Sequence, residues 1–185
     1  MIRKLPNTIT IFRITSSASI PLLIAAGDED LRFFGLVLFT IAAITDWLDG
    51  MLARQFDAVS NLGRMLDPIA DKLLVAGCLL ALAVSDNWGW LMFLPALLIL
   101  FREVFISGLR EFMAGKQVVI HVTPLAKIKT TLQLIAIGFA IGSPLTPTEW
   151  YIANITVGLM WTASILTMMT GWDYFRKAIS HDASA

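Results

Sequence analysis

Four aspartates, Asp46, Asp49, Asp67 and Asp71, sit in stretches that are otherwise strongly apolar. They occur as Thr45-Asp46-Trp47-Leu48-Asp49-Gly50-Met51-Leu52-Ala53-Arg54 and Gly63-Arg64-Met65-Leu66-Asp67-Pro68-Ile69-Ala70-Asp71-Lys72. On a helix, Asp46, Asp49, Gly50 and Ala53 fall at i, i+3, i+4 and i+7, which is one face. Gly63, Asp67 and Asp71 recur every fourth residue, again on one face. A carboxylate at mid-bilayer costs roughly 2.5–3.5 kcal/mol, less near the interface. Four convergent anions also repel one another, and no Arg or Lys cluster on these faces is large enough to neutralise all four. Divalent cations are sufficient: carboxylates are hard ligands suited to Mg²⁺, Mn²⁺ or Ca²⁺, and no Cys or His cluster argues for zinc. Gly50, Ala53 and Gly63 leave the backbone open to a bulky ligand, or serve close helix packing. Arg54 can grip a phosphate bidentately, or snorkel as a cation at the membrane edge.

The elements that must position these residues are membrane helices. Of the 185 residues 57% are hydrophobic and 15% charged, and the mean hydropathy is +0.73. A soluble domain is nearer one-quarter charged. A crossing helix needs roughly 20 apolar residues. Six such runs are expected, at about 8–26, 33–53, 67–85, 90–112, 125–143 and 150–172. The fold class is therefore all-α, a polytopic membrane protein of one domain over 1–185, with both termini cytoplasmic. Polar connections are expected at Gly27–Asp30, Ser85–Gly89 and Ser143–Glu149. A linker at Gln55–Leu62 makes the second and third helices antiparallel neighbours, so their acidic faces converge at the inner surface. Of the 14 Lys and Arg, all but Arg32 then fall on the inner side, a strong positive-inside bias. Trp88, Trp90 and Trp150 are expected at the outer interface, Trp47 and Trp172 at the inner one. The first apolar run is too long for a cleavable signal peptide.

A second group of residues suits an anionic ligand. Arg102, Arg110, Lys127 and Lys129 flank the inner ends of spans four and five. Arg102 and Arg110, eight apart, lie near one helical face. Together these cations would bind a phosphomonoester, although each alone is also explained by positive-inside placement. Glu103 and Glu111 are the expected orienting partners of the arginines. Thr10 and Arg13 either close the pocket or open the first helix. Cys78 reads as a small buried hydrophobe, His121 and His181 as a loop and a tail residue. Pro21 and Pro124 bend or start helices.

The run Asp46-x2-Asp49-Gly50-x2-Ala53-Arg54-x8-Gly63-x3-Asp67-x3-Asp71 resembles, at every fixed position, the signature of the CDP-alcohol phosphotransferases. The resemblance extends to the six-span pattern and so to nearly the whole chain. It implies two divalent cations, Mg²⁺ or Mn²⁺, held by Asp46, Asp49, Asp67 and Asp71. It implies that the CDP portion of the donor meets Asp46, Asp49, Gly50, Ala53, Arg54, Gly63 and Asp67, and that Asp71 is the general base. Three further stretches are similar to family members that join CDP-diacylglycerol to sn-glycerol 3-phosphate. They are Leu5-Pro6-Asn7-Thr8-Ile9-Thr10-Ile11-Phe12-Arg13, Phe101 to Glu111, and Ala126-Lys127-Ile128-Lys129-Thr130-Thr131-Leu132-Gln133. Ala126 stands where those members have Gly. Asn7 and Gln133 join the candidates on this ground.

The reaction implied is displacement at the β-phosphorus of CDP-diacylglycerol by the C1 hydroxyl of glycerol 3-phosphate. Its products are phosphatidylglycerol phosphate and CMP, made at the cytoplasmic side of a bacterial inner membrane. The family also implies a homodimer surrounded by membrane lipid, and no nucleic acid. The same fold acting on inositol phosphate or phosphatidylglycerol is the alternative enzyme. A cation transporter is the alternative outside enzymes, but its acids would be spread through the bilayer depth rather than gathered at one end.

Overall fold

The computed structural model describes the backbone of residues 5–56, 61–116, 124–146 and 149–182, and the side chains of 13–45, 66, 68–116, 128–146 and 151–180. Six long helices follow in chain order: α1 Leu5–Ala25, α2 Glu29–Phe56, α3 Asn61–Ser85, α4 Trp90–Gly115, α5 Pro124–Gly142 and α6 Glu149–Asp182. Each expected span lies within or over one of them. A short 3₁₀ turn, Ser143–Leu145, follows α5. Among the described residues, four segments are long and apolar enough to cross a membrane: Pro68–Ser85, Trp90–Gly115, Ile128–Leu145 and Tyr151–Ser180. The chain is thus an all-helical membrane protein.

The helices start and stop for local reasons. Asp28 accepts a hydrogen bond from the Leu31 amide at 3.0 Å and caps α2. Glu29 and Asp30 complement its positive N-terminal end. Gly27, at φ +73°, supplies the left-handed residue that ends α1. Pro124 opens α5, where its missing amide has no helical partner to lose.

Several boundaries differ from expectation. Glu29 and Asp30 are helical rather than part of a loop. The expected Gln55–Leu62 linker is shorter, because Gln55 and Phe56 continue α2 and Asn61 and Leu62 begin α3. Hydropathy falls before these helices end, but nothing there breaks them. For the same reason α6 runs past Trp172 to Asp182.

The chain divides into two compact units, Met1–Trp88 with Ile137–Ile152, and Gly89–Ala136 with Ala153–Ala185. In the first unit α1 packs on α2 and α3. The buried stripe of α1 is Arg13, Ser16, Ser17, Ile20 and Ile24, and that of α3 is Ala70, Leu74, Cys78 and Leu82. Both follow helical periodicity. Phe33, Phe34, Val37, Ile41 and Ile44 of α2 face outward and are at least 39% exposed, an apolar strip that suits lipid better than water. Cys78 is a fully buried free thiol. In the second unit the buried positions are Ala96, Ile99, Ile106 and Met113 of α4, with Met160, Ala163 and Thr167 of α6. Trp161 of α6 donates its indole N–H to the Leu91 carbonyl of α4 at 3.0 Å. Trp90 and Trp172 are exposed.

The α1–α3 contact is tight at Gly77. A Cβ there would stand 2.5 Å from Cγ of Pro21 and 3.3 Å from its Cβ. The pyrrolidine ring cannot rotate away, so Gly77→Ala is expected to destabilise the protein by about 1–3 kcal/mol. The check is thermal unfolding in detergent; an unchanged transition would mean that α1 and α3 are not held this closely.

Candidate active site

The aspartates are set out on the ends of α2 and α3 that the 57–60 connection joins. Asp46 and Asp49 lie in the last turns of α2 with Gly50, Ala53 and Arg54; Gly63, Asp67 and Asp71 lie in the first turns of α3. Continuous helix through both segments puts Asp46, Asp49, Gly50 and Ala53 on one face, and Gly63, Asp67 and Asp71 on another. The side chains of these residues other than Asp71 lie outside the described residues, as do those of Asn7, Thr10 and Lys127. His121 lies outside them too.

Asp71 is half-exposed and is paired with Arg13 of α1, whose side chain is 7% exposed. The pairing follows from packing. Arg13 shares the buried α1 stripe with Ser17, Ile20 and Ile24, and Asp71 follows Ala70 of the α3 stripe. Because α1 packs on α3, the two stripes bring a cation to the carboxylate. Arg13 is therefore more than a helix-start residue: it balances Asp71 and fixes its carboxylate. A buried guanidinium with a charged partner is the arrangement in which such a group is tolerated inside a protein.

The second unit holds the cations. Lys129 of α5 is 4% exposed and Gln133, one turn on, is 3% exposed. Lys129 pairs with Glu103 of α4. Arg102 Nη1 donates to the same Glu103 oxygen at 3.2 Å, and Nη2 lies 3.5 Å from the Thr170 hydroxyl of α6. Among the described residues, the charges acting on Lys129 are Glu103, Arg102 and Arg110. One carboxylate facing three cations leaves net positive charge here, with Lys129 and Arg102 largely buried and Arg110 exposed. Arg102 Nε and Gln133 Oε1 are buried and have no hydrogen-bond partner among the described residues.

Arg102 and Arg110 differ in exposure. Eight residues on a helix leave a rotation of roughly 80°, so Arg102 turns inward while Arg110 is exposed and lies over the Tyr174 ring at 5.8 Å. Glu103 partners Arg102, as anticipated, and also Lys129, which the sequence did not suggest. Among the described residues Glu111 forms no ion pair with either arginine.

Arg32 also changes meaning. It is not a loop cation but a buried residue of α2, 6% exposed. Its Nη1 and Nη2 bind both oxygens of Asp86 at 2.6 and 2.8 Å. Nε donates to the Ile141 carbonyl at 2.7 Å and Nη2 to that of Ala140 at 3.1 Å.

Comparison with known proteins supplies the frame. The model of the CDP-alcohol phosphatidyltransferase family matches residues 3–169. The chain belongs to that family. It is similar to proteins named CDP-diacylglycerol–glycerol-3-phosphate 3-phosphatidyltransferase from several bacteria. Identity is 41% over 174 residues with the Rickettsia typhi protein, covering 94% of this chain and 96% of the relative. It is 36% over 213 residues with that of Cereibacter sphaeroides, covering 96% of each. With the Bacillus subtilis protein it is 35% over 189 residues, covering 94% of each.

For a CDP-alcohol phosphatidyltransferase, a hard divalent cation fits the donor set of Asp46, Asp49, Asp67 and Asp71, which is all carboxylate. Among the described residues, which include only Asp71 of these four side chains, no group of three potential metal-binding side chains occurs. Reading the sequence missed Thr170, Gly171 and Tyr174, which meet Arg102 and Arg110 from α6. No spacing signal links residues so far apart in the chain.

Proposed function

We propose that this protein transfers the phosphatidyl group of CDP-diacylglycerol to sn-glycerol 3-phosphate, giving phosphatidylglycerol phosphate and CMP. The family match and the names of its relatives support the donor and the reaction. The observation that carries the acceptor is the Arg102–Glu103–Lys129 cluster with Arg110 beside it. Its excess of about two positive charges matches a phosphomonoester, which carries close to two negative charges at neutral pH. Inositol or choline would need no such cluster.

In this reading Asp46, Asp49, Asp67 and Asp71 hold two divalent cations, Mg²⁺ or Mn²⁺, whose chemistry when bound is to neutralise diphosphate charge and ease departure of CMP. Gly50, Ala53, Gly63 and Arg54 accept the CDP portion. Arg102, Lys129, Arg110 and Lys127 hold the acceptor phosphate, with Glu103 setting the geometry of the first two and Gln133 beside Lys129. Asp71, steadied by Arg13, takes the proton of the C1 hydroxyl. That oxygen forms a bond to the β-phosphorus, and the bond from this phosphorus to the CMP oxygen breaks. Asn7 and Thr10 of α1 help to close the site.

All six helices are read as crossings of a bacterial inner membrane, with the termini and the chemistry on the cytoplasmic side. The outward apolar strip of α2 supports this for a helix that also bears acids. The protein is read as one functional domain, since the family match runs through both compact units, and as a homodimer.

The test is an acceptor screen on purified protein in detergent with CDP-diacylglycerol and Mg²⁺ or Mn²⁺, following CMP. Release should require glycerol 3-phosphate and stop with a chelator. Release that instead requires inositol phosphate or phosphatidylglycerol would overturn the acceptor. No metal-dependent release with any alcohol would remove the enzyme reading.

A further inference from the structure

We propose that Gly171 and Thr170 of α6 are positioning residues for Arg102, and through it set how tightly the protein holds its anionic acceptor. The proposal rests on the reading of Arg102 as a ligand of the acceptor phosphate. A Cβ added at Gly171 would have Arg102 atoms as its three nearest neighbours, Cγ at 2.9 Å, Nε at 3.2 Å and Cδ at 3.6 Å. The stem of Arg102 therefore lies directly against the α6 backbone, an approach that only glycine permits. One residue earlier, the Thr170 hydroxyl lies 2.9 and 3.0 Å from the Leu166 and Thr167 carbonyls of its own helix. A hydroxyl donating there presents its lone pairs to Arg102 Nη2, 3.5 Å away.

The guanidinium is thus held on two sides, by Glu103 on α4 and by Thr170 on α6, while its buried Nε makes no hydrogen bond among the described residues. A fixed planar fork with an unused donor suits an oxyanion. A cavity of about 300 Å³ lined by Phe101, Phe105, Met168 and Phe175 borders the same stem. A methyl at residue 171 would push Arg102 aside, with that cavity as space to enter, and the backbone of α6 need not move.

The experiment is a double-mutant cycle of Gly171→Ala with Arg102→Ala, measuring KM for glycerol 3-phosphate and for CDP-diacylglycerol, kcat, and the thermal transition. Gly171→Ala should raise KM for glycerol 3-phosphate roughly tenfold, the worth of one displaced charged hydrogen-bonding group, with KM for the lipid donor unchanged. In the Arg102→Ala background it should add nothing further. Equal effects in both backgrounds, or a parallel rise in both KM values, would overturn the positioning role. If Arg102→Ala itself leaves the acceptor KM unchanged, the reading of Arg102 fails and the proposal fails with it. Thr170→Val, which keeps the shape, provides a second arm should Gly171→Ala not fold. It should raise the acceptor KM several-fold and be rescued by Thr170→Ser; a Thr170→Ser enzyme as weak as Thr170→Val would show that the hydroxyl is not what matters.

Discussion

Asp71→Asn is expected to lower metal-dependent CMP release by about 10³-fold, within the range of roughly 10²–10⁴ that a positioned general base supplies. Asn keeps the shape but cannot accept the proton, and it is a weaker ligand for a hard cation. Two effects fall on one residue, so the loss should exceed that of Arg13→Ala, which removes a charged partner of Asp71 but leaves its carboxylate in place. The helical content of the variant should be unchanged, because Asp71 is half-exposed and Asn keeps its shape. The measurement is CMP release across a metal titration, beside circular dichroism. A variant within a few-fold of the native rate would remove Asp71 from the chemistry and leave it as a simple ion-pair partner of Arg13.

Arg32→Ala should produce the largest loss of stability, about 3 kcal/mol or more. The guanidinium makes four hydrogen bonds, two to Asp86 and two to the carbonyls of Ala140 and Ile141. Removing one member of such a pair leaves the other charge unpartnered, at a typical cost of about 3–5 kcal/mol. The Asp86 side chain is 18% exposed, which favours the lower end. Lysine cannot replace this fork, since it offers one point charge to three acceptors. Arg32→Lys should therefore recover only part of the loss. Thermal unfolding in detergent decides the matter, and a shift of less than a degree or two would mean that water replaces Arg32 at these carbonyls.

The clasp also shows where sequence reading stops. Arg32 looked like the lone cation outside, a matter of topology. Its partners lie just past the end of α3 and on α5, and only packing brings them together. The same holds for Arg13. Its place near the start of a helix was plain from the sequence, while its pairing with Asp71 depends on α1 lying against α3. Arg102 and Arg110 illustrate a different limit. Their spacing places them near one face, and only tertiary contacts decide that the first is largely buried and the second exposed.

The helices and their order, the acidic faces and the family were legible from the sequence, because all rest on short-range periodicity and on residue type. Apolar runs of sufficient length specify helices without help from the rest of the chain, and carboxylates at i, i+3 and i, i+4 share a face wherever a helix forms. Tertiary structure decided which cations are buried, which carboxylate each one meets, and that a glycine on α6 lies against the stem of Arg102. Those outcomes depend on how helices distant in sequence pack side by side, and the spacing of residues along a single helix carries no record of its neighbours.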